Sequence, residues 1–191
     1  MERGGIKLLK GFFGHLKTVM VHRHRVMVNC WKAGIIKRGL LHDLSKFSPT
    51  EFWQGVKYYQ GTRSPNEMER ETYGYSKAWL HHKGRNRHHF EYWTDYNPKS
   101  RMIEPVRMPD EFIYEMFCDR VAASKTYNKE KYNNSMPIEY FMRGKNRRSI
   151  DRYTSDKIEM LLRMLEEKGE KETFRFIKNE RRNSKKTQKR S

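Results

Sequence analysis

The chain has 191 residues, a formal net charge of +18, 36% hydrophobic and 13% aromatic residues. That length suits one domain with a sizeable core, and the aromatic content argues against disorder. No apolar run is long enough for a bilayer, Met1 to Phe13 lack a signal-peptide pattern, and two cysteines are too few for a disulfide framework. A cytoplasmic protein without membrane contact is expected.

In chain order, the predicted elements are helical. From Leu9 the apolar positions Phe12, Phe13, Leu16, Val19, Met20, Val26, Met27 and Cys30 recur every three or four residues, and Gly34 ends that helix. A short second helix carries Leu40, Leu41, His42, Asp43 and Leu44. Ser48-Pro49-Thr50-Glu51 is a capping box with proline at the first helical position, and Ser64-Pro65-Asn66-Glu67 repeats the device. Ser76 to Lys83 reads as helix, and Gly84-Arg85-Asn86 interrupts it before His88 to Trp93. Residues Asp95 to Arg107 hold Pro98 and Pro105 with little periodicity and read as a loop.

A well-patterned helix runs from Pro109-Asp110-Glu111 to Asn128, and a short one starts at Met136-Pro137-Ile138-Glu139. Gly144 to Ser149 reads as a basic linker. The last helix, Thr154 to Lys168, sets Ile158, Leu161, Leu162 and Leu165 on one stripe; Gly169 breaks it before a turn with Phe174 and Ile177. No period-two alternation is long enough for a sheet. The expected fold is all-α: a metal-binding helical domain over residues 1–150, a C-terminal helical extension over 151–180, and a disordered basic tail over 181–191.

The histidines carry the chemistry. Seven of eight fall between His22 and His89, in the order His22, His42-Asp43, His81-His82 and His88-His89. Imidazole and carboxylate together form the ligand set of zinc, iron and manganese. On the first helix His15, Val19, His22 and Val26 share a face, whereas His24 points to the surface. Phe112, Met116, Asp119 and Ala123 share a stripe, which turns the Asp119 carboxylate inward, where it needs a metal or an arginine partner. His42 and Asp43, as helix neighbours, diverge by about 100°, so the helix end must be aimed at the ion. The candidate ligands are His22, His42, Asp43, His82, His88, His89 and Asp119. The choice between His81 and His82, and between His88 and His89, stays open. His15 reads as buried or supporting, and Cys30 and Cys118 as small hydrophobes.

Such a site would hold one or two divalent ions (manganese, iron or zinc) and activate water. Asp43 is the catalytic candidate, as ligand or as the group orienting water, together with Lys46 one turn after His42. Lys46, Arg85, Arg87 and Arg120 would neutralise charge on a phosphate. Trp79, Tyr92 and Trp93 flank the cluster as core residues or base-stacking rings.

The order His22, His42-Asp43, Asp119 resembles the HD-domain superfamily of metal-dependent phosphohydrolases, and the intervening histidines with Lys46 resemble its two-metal members. A closer resemblance, to domain-of-unknown-function family 5662, is carried by His15 to Val19, Gly39 to Pro49, Tyr75 to Trp93 and Cys118 to Lys125. The superfamily likeness implies an HD-like helical bundle that hydrolyses an anionic small molecule, a phosphorylated or nucleotide substrate. Two other readings compete: an HD-like di-iron oxygenase, and a nucleic-acid-binding module with a structural metal, supported by the basic Arg143 to Arg148. The basic tail, Arg181 to Arg190, suggests non-specific nucleic-acid contact.

Overall fold

A computed structural model describes residues 2–188, with side chains over 8–187. Among the described residues there are eight helices and one small sheet. The helices are α1 (Glu2–Lys32), α2 (Ile36–Leu41), α3 (Pro49–Lys57), α4 (Pro65–Tyr73), α5 (Lys77–Lys83), α6 (Asp110–Asn128), α7 (Met136–Met142) and α8 (Arg152–Gln188). Among the described residues no helix is long and apolar enough to cross a membrane. The protein is mostly helical, as its periodicity predicts.

Local chemistry sets the element starts. Ser48 accepts from the Glu51 amide to cap α3, Ser64 caps α4 through Asn66, and Ser76 caps α5 through Trp79 at 2.9 Å. One apolar core joins α1, α6, α7 and α8 through Val26, Phe117, Val121, Phe141, Ile158, Leu162 and Ile177. The C-terminal helix therefore shares the core of the residues before it.

Two close approaches bring the first three helices together. A Cβ on Gly39 would fall 2.7 Å from the Cys30 Cβ, so glycine lets α2 press onto α1. A Cβ on Gly55 would fall 2.1 Å from the His15 Nε2, so α3 seats directly on the His15 ring. His15 is thus a packing residue, with its ring 5.4 Å from that of Phe52.

Three features differ from the sequence expectations. The 95–107 segment is not a plain loop: β1 (Thr94–Asn97) pairs antiparallel with β2 (Met102–Pro105), Thr94 opposite Pro105 and Asn97 opposite Met102. Most of its side chains are exposed, so no apolar alternation marks it. The helix carrying Leu40 ends at Leu41; His42 is extended, Asp43 is left-handed, and a 3-10 turn spans Leu44–Phe47. Helix also resumes after Gly169 (φ 76°) and continues through Gln188, so 181–188 are helical rather than disordered; 189–191 lie outside the described residues.

Candidate metal centre

Five segments converge. His22 comes from the middle of α1, His42 and Asp43 from the link after α2, and His82 from the last turn of α5. His88 and His89 sit on the turn beyond it, and Asp119 projects from α6. The left-handed backbone of Asp43 (φ 53°, ψ 29°) is costly for a non-glycine residue and marks the point where convergence is enforced. It also removes the helical divergence between His42 and Asp43, because neither belongs to a helix. Arg23 holds this link, donating from Nε to the His42 carbonyl at 2.9 Å and from Nη2 to the Leu40 carbonyl at 3.0 Å. The Asn86 amide ties it to α5, donating to Ser45 Oγ and to the His82 carbonyl, both at 2.8 Å.

The Asp43 carboxylate, 1% exposed, stands between two sets of donors. Its Oδ2 lies 3.3 Å from His42 Nε2 and 3.8 Å from His22 Nε2, and Asp119 Oδ1 lies 3.0 Å from His22 Nε2. Its Oδ1 lies 3.3 Å from His82 Nε2 and 3.4 Å from His88 Nε2, with His89 Nε2 2.9 Å from His82 Nε2. Two groups, His22–His42–Asp119 and Asp43–His82–His88–His89, each have donor atoms within 4.8 Å of one another and could hold a metal ion.

Two carboxylates outside these groups aim the rings. Glu115 Oε1 lies 3.0 Å from His42 Nδ1 and 3.3 Å from His88 Nδ1, and Glu51 Oε2 lies 2.7 Å from His82 Nδ1. A proton held at Nδ1 by a carboxylate leaves the Nε2 lone pair free, the usual arrangement of a metal-ligating histidine. A third His42–His88–Glu115 grouping reflects this backing arrangement.

His22 Nε2, His42 Nε2, His88 Nε2 and Asp43 Oδ1 are all buried without a hydrogen-bond partner. Buried polar atoms are normally satisfied, and four orphans facing one region, all of ligand type, fit a bound cation. Burial opposes ionisation of Asp43, but His42, Lys46 and His82 outweigh it and hold the carboxyl well below its usual range. Asp119 behaves likewise through His22 and His42. Burial also opposes ionisation of Glu115, yet hydrogen bonds from His42 and His88 bring it down to about 2. Burial, then Lys46, lowers His22; burial, then His88 and His82, keeps His89 neutral. Lys46, with its side chain 30% exposed, places Nζ 2.7 Å from Asp43 Oδ2 and forms a cationic edge to the centre.

The seven ligand candidates from the sequence come together. His82, not His81, faces the carboxylate of Asp43; His81 turns to Glu51 Oε1 at 2.6 Å. His88 and His89 both join. The arginines do not. Arg85 is exposed and donates to the His81 carbonyl at 3.3 Å, and Arg87 is exposed with its guanidinium 5.7 Å from the Tyr92 ring centre. Arg120 stacks over Phe141 at 5.5 Å, turned from the centre by the 100° step that separates it from Asp119. Cys30 and Cys118 are buried in the core and belong to neither group. Sequence reasoning missed Glu115 and Glu51. Glu115 lies one helical turn before Asp119 and so on its face, which is a readable signal, whereas the capping role of Glu51 hides its second one.

Residues 11–167 match the family of unknown function DUF5662, and the chain belongs to that family. No curated protein and no solved structure matches it.

Proposed function

Starting from membership of a family without an assigned activity, we propose that the protein is a two-metal hydrolase of a phosphorylated or nucleotide substrate. The observation that carries the reading is the Asp43 carboxylate, one oxygen toward each histidine group, amid three buried imidazole nitrogens that lack partners. His22, His42, Asp119 and Asp43 Oδ2 would hold one ion; His82, His88, His89 and Asp43 Oδ1 the other. A donor set rich in imidazole suits manganese, iron or zinc over magnesium or calcium. Such ions lower the pKa of bound water from ~15.7 to near ~7 and neutralise phosphoryl oxygens.

The chain's own residues do the rest. Glu115 and Glu51 keep three imidazoles aimed and in one tautomer, so the centre is organised before substrate arrives. Lys46, partly exposed at the edge of the centre, would meet an anionic phosphate oxygen as a point charge. Arg85 and Arg87, exposed on the turn that carries His88, are assigned to outer parts of the substrate; Arg120 is not, because Phe141 holds it. The half-buried Trp79 ring, 4.8 Å from that of His89, offers a flat apolar wall beside the second histidine group. The order of ligands along the chain, similar to that of HD-domain phosphohydrolases, points the same way.

The test is metal analysis joined to a phosphoester screen. Two equivalents of bound ion and manganese-dependent hydrolysis of phosphomonoesters or nucleotides are expected. Coloured protein that consumes dioxygen and hydrolyses none of these esters would transfer the centre to oxygenase chemistry. Bound metal with neither activity would leave it structural.

A further inference from the structure

The second half of α8 has a feature that the metal centre does not use. Lys171, Arg175, Lys178, Arg182 and Lys185 are all exposed. Their spacing of four, three, four and three residues puts them within an arc of about 80° and along about 21 Å of helix. Of the carboxylates nearby, Glu170 pairs with Lys32 and Lys125 and Glu180 with Lys157, while Glu172 pairs with Arg175 of the stripe itself. Four cations of the stripe thus keep their charge for an external partner.

The stripe borders a groove between α8 and the end of α1. Lys32, Lys171, Phe174, Arg175, Lys178 and Arg182 line it, with a volume of about 610 Å³. Lys32 lies over the Phe174 ring at 5.4 Å, and Arg181 donates to the Gly34 carbonyl, so the two helices are fastened side by side. One turn before Gly34, Trp31 is 66% exposed. So exposed an indole, on the residue next to the groove-lining Lys32 and outside the core, is available to a planar partner.

We infer that this surface, the α8 cation stripe with Trp31 at its edge, binds single-stranded nucleic acid: the cations track the phosphates and Trp31 stacks a base. A base–aromatic stack needs an unpaired base, which favours a single strand over a duplex, and four aligned, unpaired cations favour a polyanion over a single phosphate.

The experiment uses the full chain with a fluorescein-labelled oligothymidylate of twenty nucleotides, by anisotropy, in excess EDTA so that the metal centre plays no part. For the four unpaired cations of the stripe on a single strand, log affinity should fall against log salt with a slope of about −2.8. Arg175→Gln, Lys178→Gln, Arg182→Gln and Lys185→Gln together should bring that slope to about −0.7. Trp31→Ala should weaken binding roughly tenfold with the slope unchanged, and Trp31→Phe should restore most of it. All the replaced residues are exposed, and circular dichroism checks that the helices persist. An unchanged slope in the quadruple variant, or unchanged affinity in Trp31→Ala, overturns the inference. Tighter, Trp31-dependent binding to phosphatidylserine vesicles than to the oligonucleotide would assign the surface to membranes and overturn it equally.

Discussion

Glu115 and Glu51 give the sharpest perturbation of the centre, because they back different histidines. Glu115 serves His42 of one group and His88 of the other, at 3.0 and 3.3 Å, while Glu51 serves His82 of the second group alone, at 2.7 Å. Neither touches the region where an ion would sit. Glu115→Gln keeps the shape but removes the charge, and because His42 and His88 share Oε1, both imidazoles lose the anionic partner that fixes their tautomer. Loss of such a backing carboxylate typically costs ~10- to 100-fold in metal affinity, about 1.4–2.7 kcal/mol per site. Glu115→Gln should therefore weaken both ions by that factor, and Glu51→Gln only one of the two. Chelator competition with manganese or zinc, read as two separate dissociation constants, measures this. A Glu115→Gln protein with both constants unchanged, or a Glu51→Gln protein with both weakened equally, would refute the reasoning.

Three further outcomes are expected from the same geometry. Asp43→Ala should abolish binding of both ions and all hydrolysis while helical content by circular dichroism stays, and stoichiometric metal in that variant would count against a shared carboxylate. Gly55→Ala places a Cβ 2.1 Å from His15 Nε2; overpacking of this kind costs about 1–3 kcal/mol, so the Tm should drop by roughly 2–12 °C, and His15→Ala in the same chain should recover part of the loss. Burial, then the Lys46 charge, lowers His15 to about 4 from 6.5. The unfolded chain takes up a proton on His15 below pH 6.5 while the native one resists until pH 4, so stability falls across that window as pH falls. His15→Leu should flatten the loss relative to the unsubstituted chain by at most about 3 kcal/mol between those limits, measured by urea unfolding at each pH.

How much of this is legible in the sequence depends on whether a residue's role shows in periodicity. The apolar stripe of α8 through Ile158, Leu161, Leu162 and Leu165, and the serines that start α3 and α5, locate those helices because burial and capping act locally. Asp119 is readable for the same reason, as a carboxylate on a buried stripe. The β1–β2 hairpin is not, since neither face is buried and register leaves no trace in composition. The His42-Asp43 link reads as helix because nothing in a single sequence reports a left-handed aspartate; tertiary contacts from Arg23 and Asn86 hold it there. Glu51 bonds both His81 and His82, so the choice of His82 rests on which ring reaches Asp43, a tertiary approach that no local rule connects. The arginines near the cluster illustrate the reverse error: proximity in sequence puts Arg120 next to Asp119, while the helical step sends it to Phe141.

The claim on which the account rests is that Asp43 bridges two cations. An anomalous difference map from a crystal of the full chain equilibrated with manganese or zinc tests it without reference to any substrate. The account predicts two peaks flanking the Asp43 carboxylate, about 3.5–4 Å apart, one against His22, His42 and Asp119 and the other against His82, His88 and His89. An empty map there, or a single peak that leaves one histidine group without a metal, would contradict it.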